Sequence, residues 1–259
     1  MRCQQVSLLQ ELEPFGPGIV CLAGGGGKTT LLFALGAALA RAGQSVLCTT
    51  STRMCRPKPR QYLPVSLEPD PASLAPPPAG ALFAARPASG GQDPDKVYGY
   101  SAAEIDALHG RAFASWILVE ADGAAGKPLK APAEHEPVFP GETAVVLGVI
   151  GLSCFLPSSQ PDPVFRPEYF STLTGRVPGE TVTPEAVAML ITHPRGIFQH
   201  TPDTAKRLLF CNQADLPGTF EAGTALAHAL FARGIGLPHA LYLGSARRDF
   251  LQCRKLSPA

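Results

Sequence analysis

Gly18-Ile-Val-Cys-Leu-Ala-Gly-Gly-Gly-Gly-Lys-Thr-Thr30 decides the reading of this chain. Ile19 to Leu22 is an apolar run, as in a strand buried on both faces. Gly24, Gly25, Gly26 and Gly27 follow, then Lys28, Thr29 and Thr30, then an apolar helical run from Leu31 to Ala40. Strand, glycine turn and helix form the context of a phosphate loop. Glycines let backbone N–H groups turn inward without a Cβ clash. The helix start adds unpaired donors and a partial positive charge. In this reading Lys28 reaches the outer phosphates and the Thr29 hydroxyl meets Mg²⁺. The common spacing G-x-x-x-x-G-K-[ST] asks for glycine where Leu22 stands, so the chain fits the variant G-G-x-G-K-T-T better. Many loops of that variant carry a lysine just before the first glycine. Ala23 stands there, which gives no ground for a lysine contact across a subunit interface.

Working outward, apolar runs alternate with helical ones, which argues for a mostly parallel sheet with helices on both faces. Strands are expected at 18–22, 45–50, 116–120, 144–150, 207–211 and 239–243. Helices are expected at 28–42, 101–109, 167–174, 184–192, 202–206 and 219–232. Thr183-Pro184 is a strong helix start. Residues 56–80 hold eight prolines, ending in Pro76-Pro77-Pro78, and read as an extended excursion from a single α/β domain spanning 1–259. Residues 86–99, with Gly90-Gly91, read as loop.

Composition fits a globular chain: 259 residues, 45% hydrophobic and 17% charged. A net charge of +1 leaves no broad footprint for nucleic acid. No apolar run reaches the roughly 18 residues of a membrane span, and Met1 to Glu13 lacks a signal-peptide pattern. The seven cysteines include no C-x-x-C pair. Cys21, Cys48 and Cys211 sit in strand-like runs and read as core residues; Cys3, Cys55, Cys154 and Cys253 carry no clear signal. A reducing cytoplasm is the simplest setting.

Three further segments carry chemistry. Trp116-Ile-Leu-Val-Glu-Ala-Asp-Gly123 is a strand ending in acids. Glu120 and Asp122 alternate, so both face one side and could orient Mg²⁺ beside Thr29. Arg207-Leu-Leu-Phe-Cys-Asn-Gln-Ala-Asp215 ends in N-x-x-D, similar to the guanine-reading N-K-x-D loop. Asn212 and Asp215 are the expected base contacts, with Gln213 in place of lysine; an Asn/Asp turn is the plain alternative. Gly126-Lys-Pro-Leu-Lys-Ala-Pro-Ala-Glu-His-Glu-Pro137 offers Lys127 and Lys130 to anions. It also offers Glu134, His135 and Glu136 to water or metal, although three adjacent polar residues cannot all face one site.

Together, GGGGKTT, CTTSTRM, LVEADGAAGKPLKAPAEHEPV, GVIGL, VTPEAVAMLITHPRGIF and LLFCNQAD make the chain resemble the YqeC-like family over about residues 18–215. These are accessory proteins of selenium-dependent molybdenum hydroxylases. The resemblance implies a phosphate-loop NTPase-like fold and involvement in making or inserting a selenium-containing molybdenum cofactor. It assigns functional roles to Lys28, Thr29, Asp122, Lys130, Glu134, His135, Glu136 and Arg166. The family often has histidine before that arginine; here it is Phe165, which removes a proton carrier. The expected function is a nucleotide-binding accessory protein, hydrolysing GTP or ATP with Mg²⁺. A small-molecule kinase or transferase using the same cradle is one alternative. A non-enzymatic, nucleotide-gated scaffold is another. The expected partners are a nucleoside triphosphate and a molybdenum hydroxylase or its cofactor intermediate, with a homodimer left open and neither nucleic acid nor membrane involved.

Overall fold

The computed structural model describes residues 1–57, 63–77, 80–88, 93–157, 162–247 and 252–258. In chain order the elements are β1 (Arg2–Ser7), α1 (Leu8–Leu12), β2 (Ile19–Gly24), α2 (Lys28–Arg41), β3 (Ser45–Thr50), β4 (Arg53–Cys55) and β5 (Val65–Leu67). Next come β6 (Gly80–Pro87), β7 (Lys96–Tyr98), α3 (Ala102–Gly110), β8 (Trp116–Glu120), β9 (Leu129–Lys130), β10 (Thr143–Gly151) and β11 (Val164–Phe165). The rest are α4 (Pro167–Thr174), α5 (Pro184–Thr192), β12 (Lys206–Asn212), α6 (Thr219–Arg233), β13 (Ala240–Leu243) and β14 (Gln252–Ser257).

One large sheet runs β1-β14-β13-β12-β10-β2-β8-β3-β6-β7-β4, with β5 also pairing β6. From β13 to β6 every pairing is parallel. The outer strands β14 and β1, and β7 and β4 on the other side, are antiparallel. The short β9 and β11 form a separate parallel pair.

Side-chain alternation along each parallel strand feeds two cores, one on each face of the sheet. Val20 and Leu22 of β2 join α1 and α2 on one face, with Leu31, Leu32, Leu35 and Leu39 of α2 buried there. Ile19 and Cys21 join the other face, where α3, α4, α5 and α6 contribute Ile105, Phe170, Leu190 and Leu226. The architecture is therefore mixed α/β, a mostly parallel sheet with helices on both faces. Among the described residues no helix is long and apolar enough to cross a membrane.

Pairing register brings the working ends of five strands together. Gly24 pairs Val149, Gly151 pairs Asn212, Leu22 pairs Glu120 and Thr50 pairs Glu120. The carboxyl ends of β3, β8, β2, β10 and β12 thus share one edge, the place where open parallel sheets put their ligands.

All six expected strands are present. Helix α5 starts as expected, with the Thr183 side chain accepting from the Ala186 N–H at 3.2 Å and Pro184 in the first turn. The helix expected at 202–206 is absent. Ala205 N–H closes a single turn onto Pro202 O, and pairing with β10 claims the chain one residue later. Segment 56–80 is not wholly an excursion, because Val65–Leu67 pairs in parallel with β6; residues 58–62 and 78–79 lie outside the described residues. Segment 86–99 is not all loop either, because β6 ends at Pro87 and Lys96–Tyr98 forms β7; Gly90-Gly91 lie outside the described residues. The strands β1 and β14, too polar to signal a buried strand, close one edge.

Phe83 of β6 is fully buried, and its ring lies 5.5 Å from that of Phe33 on α2. Phe83→Ala is expected to lower stability in urea unfolding by about 3–5 kcal/mol, the usual cost of emptying an aromatic core site. A loss of only a few tenths would mean that this strand is not part of the core.

Candidate functional site

The glycine loop is forced by its surroundings. Gly24, Gly26 and Gly27 have φ of +101°, +78° and +109°, values that side-chain-bearing residues avoid. A Cβ on Gly26 would sit 2.1 Å from the Gly151 nitrogen, so the loop lies directly on the end of β10. Gly25 N–H donates to Val149 O and Gly26 N–H to Lys127 O, both at 2.9 Å. The Asn212 amide donates to Gly26 O at 2.7 Å.

Helix α2 then starts without a side-chain cap. Its first bond runs from Leu31 N–H to Gly27 O at 3.0 Å. The N–H groups of Lys28, Thr29 and Thr30 have no acceptor among the described residues. Three aligned donors at the positive end of a helix attract an anion.

Beside that helix end lies a chain of alternating charges. Lys28 donates to Gly24 O at 2.5 Å and pairs with Asp122 Oδ1 at 3.2 Å. Gly24 N–H donates to both Asp122 oxygens, at 3.0 and 3.2 Å. Lys130 Nζ lies 3.0 Å from Asp122 Oδ2 and 2.8 Å from Glu136 Oε2. Neither Lys130 contact meets the angle of a hydrogen bond, so these carboxylates hold the fully buried ammonium by ion pairing. Arg166 closes the chain with an ion pair to Glu136. The Phe165 ring lies 5.8 Å from Lys130 Nζ and 5.0 Å from the Arg166 guanidinium carbon. Phe165 thus offers its π-face to two cations. Parallel pairing of β9 with β11 brings Lys130 and Phe165 into register.

Glu120 belongs to the same edge but stands apart from that chain. Its Oε2 accepts from Thr29 Oγ1 at 2.7 Å. Its main-chain carbonyl takes the Thr50 hydroxyl at 2.8 Å and Ser51 N–H at 3.1 Å, which fixes the strand end. Burial pushes the Glu120 carboxyl above the usual range, and Lys28 and the Thr29 bond only partly offset this. Burial also pushes Glu136 up, but its pairing with Arg166 and Lys130 outweighs that and leaves its carboxyl below the usual range.

Not all expected site residues meet here. Lys28, Asp122, Lys130, Glu136 and Arg166 form one connected chain, and Thr29 with Glu120 forms a pair beside it. Glu134 and His135 are exposed on the turn before Glu136. Lys127 turns away and donates to Asp162 O at 2.8 Å. Asn212 is committed to the protein, because its Oδ1 accepts Ala246 N–H at 2.8 Å while its amide braces the glycine loop. The Gln213 side chain accepts Ser153 N–H at 3.2 Å. Asp215 is exposed at the turn after β12. Cys154 and Cys253 are buried along with Cys21, Cys48 and Cys211, and desolvation raises all five thiols, Cys21 to about 12.

Two residues gave no sequence signal. The buried Gln199 amide donates to Ala133 O at 2.6 Å and also to Glu136 O. His200 Nε2 donates to Glu134 O at 2.7 Å. Together they pin the 133–136 turn that presents Glu136. Only the polar Gln-His pair after Ile197-Phe198 hints at such a role.

Among the described residues, no group of three His, Cys, Asp or Glu could hold a metal ion by itself. A hydroxyl and carboxylates beside a helix start do suit Mg²⁺, which takes one or two protein oxygens and completes its shell with phosphate and water.

Glu136 supplies a test. A carboxyl held below its ordinary pKa stabilises the fold above the unfolded value, and that contribution disappears as pH falls through the lowered value. Glu136→Gln is expected to cost about 3–5 kcal/mol at neutral pH, since Lys130 and Arg166 lose a shared partner. It should also flatten the stability profile between about pH 5 and 3. Urea unfolding across that range measures both; an unchanged profile would mean that the pairing contributes nothing.

Comparison with known proteins places this edge in a family. The family profile described as "YqeC protein" matches residues 20–168, a span that includes the glycine loop, both strand-end acids and Arg166. A relative from Escherichia coli (strain K12), described as "Uncharacterized protein YqeC", is 36% identical over 197 residues, covering 76% of each chain. The chain belongs to the YqeC family.

Proposed function

We propose that the loop at Gly24–Thr30 binds the phosphates of a nucleoside triphosphate with Mg²⁺. The observation that carries this reading is the start of α2. Three backbone donors lack acceptors among the described residues, directly after a turn of positive-φ glycines, with the Lys28 ammonium held beside them. Such a start favours a phosphate group over a neutral ligand. Lys28 would exchange Gly24 O and Asp122 for phosphate oxygens. Thr29 and the acids of the β8 end would supply oxygens to Mg²⁺, which offsets phosphate charge. Glu136, Arg166 and Lys130 would respond to the change at Asp122.

In this reading, binding and hydrolysis switch the 131–137 segment between two arrangements, as γ-phosphate contacts do in other switches. The resemblance to accessory proteins of selenium-dependent molybdenum hydroxylases supports cofactor maturation as the process served. Guanine is the favoured base, because Asp215 can accept from the ring N–H and amino groups that adenine does not present in that pattern.

Ligand at 100 times its Kd adds about 2.7 kcal/mol of stability. With Mg²⁺ this should raise the melting temperature by about 5–10 °C for a chain of this length. The rise should be larger with GTP than with ATP. Lys28→Ala should abolish most of it, each variant being compared with its own ligand-free melt. A full shift in Lys28→Ala would eliminate the phosphate-loop reading, and equal shifts with both nucleotides would eliminate the guanine preference.

A further inference from the structure

The turn after β13 lies against the turn after β12, and each carries one exposed charged group. Gly244 N–H donates to Cys211 O and Ala214 N–H donates to Gly244 O, both at 3.0 Å. A Cβ on Gly244 would sit 2.9 Å from the Phe210 ring, so the chain leaves β13 flush against β12. Asn212 then fixes this turn relative to the glycine loop. Its amide donates to Gly26 O at 2.7 Å, while its Oδ1 accepts Ala246 N–H at 2.8 Å. One side chain therefore sets the spacing between the glycine loop and residues 244–247.

From Leu241 to Ala246 every residue is buried, and Arg247 is the first to reach solvent. Its N–H turns back to Ser245 Oγ at 3.4 Å. Among the described residues its guanidinium makes no hydrogen bond or ion pair. A fixed turn thus delivers an uncommitted planar cation to the same sheet edge as Asp215, which is exposed after β12.

Those two side chains have opposite hydrogen-bonding sense. An ionised carboxylate only accepts, and a guanidinium only donates, with two parallel N–H groups. Guanine presents donors at N1 and the 2-amino group, and acceptors at O6 and N7; adenine has an amino donor where guanine has O6. Asp215 therefore suits the donor side of guanine and Arg247 the acceptor side. Against adenine the guanidinium would face another donor, a contact that rejects the wrong base.

We infer that Arg247 is a specificity-determining residue that donates to O6 and N7 of guanine. This rests on the nucleotide reading above and deepens it. Asp215 alone would leave O6 and N7 unread, and the β13 turn supplies the reader.

The test is isothermal titration of the full chain with GTP, ITP, 7-deaza-GTP and ATP in Mg²⁺. ITP lacks the 2-amino group that Asp215 would take, and 7-deaza-GTP lacks N7. The parent chain should bind 7-deaza-GTP about fivefold or more weakly than GTP, the low end of the range for a bidentate base contact. Arg247→Met should weaken GTP about tenfold or more and bring GTP and 7-deaza-GTP to the same Kd. It should leave the ratio of GTP to ITP unchanged, and the Kd for ATP as well. Equal weakening of all four nucleotides would mean that Arg247 acts through charge alone, which overturns the inference. A parent chain that binds 7-deaza-GTP as tightly as GTP also overturns it, as does an Arg247→Met chain that keeps the full preference for GTP over ATP. Failure of the underlying reading is seen in the parent chain by itself. No binding of any nucleotide removes the phosphate-loop reading, and equal binding of GTP and ATP removes the guanine preference.

Discussion

Two buried lysines share one carboxylate, and the rest of the site follows from that constraint. Asp122 can neutralise Lys28 and Lys130 only where β8, the glycine loop and β9 meet. Its hydrogen bonds from Gly24 N–H tie the strand bearing the acids to the strand bearing the loop. Isolated charges would not stay buried here, since transfer out of water costs more than one distant partner returns. The alternation Lys28, Asp122, Lys130, Glu136, Arg166 removes the difficulty by giving each buried charge an opposite neighbour. Three cations and two anions leave one positive charge over, and Glu120, outside the chain, offsets it.

The sheet makes this arrangement possible at low cost. Parallel strands all end on one edge, so residues far apart in sequence meet without a long loop buried between them. Asn212, which lies 186 positions from Gly26, donates to it because β12 and β10 end in register. The glycines complete the fit. Gly151 and Gly26 lie so close that a side chain on either would collide with the other strand end. Donors that are already in place need not be ordered when a ligand arrives.

Much of this was legible in the sequence, and the parts that were not share a cause. The parallel strands and the glycine turn are local patterns, an apolar run of strand length or a residue type that only one backbone shape needs. β6 escaped because Ala81, Ala84 and Ala85 have weak strand propensity, and prolines crowd the segment before it. β1 and β14 escaped because their short runs are mostly polar: β1 is the edge strand, and β14 inside it buries only Cys253 and Leu256. The acids were visible as a pair, but their division was not. It depends on Lys130, eight residues after Asp122, and on Glu136, which is held in turn by Gln199. Asn212 misled in a similar way. Asparagine after a strand suits a base contact and a backbone brace equally, and only the position of Gly26 O decides for the brace.

The same charge chain gives the site a direction. An anion bound at the start of α2, as proposed, would compete with Asp122 for Lys28, since both need the same ammonium. Once Lys28 moves, Asp122 keeps Lys130 as its one cation and attracts it more strongly. Lys130 is then less available to Glu136, whose remaining partner is Arg166 at the start of α4. Arg166 has a φ of +63°, a conformation that costs a non-glycine residue energy and persists only when contacts hold it. Its pairing with Glu136 and its place beside Phe165 are such contacts. Weakening the hold of Lys130 on Glu136 therefore changes the balance at a strained junction, some distance from the phosphate loop. In that reading a change at the phosphate loop would reach Arg166 through five ion-paired side chains.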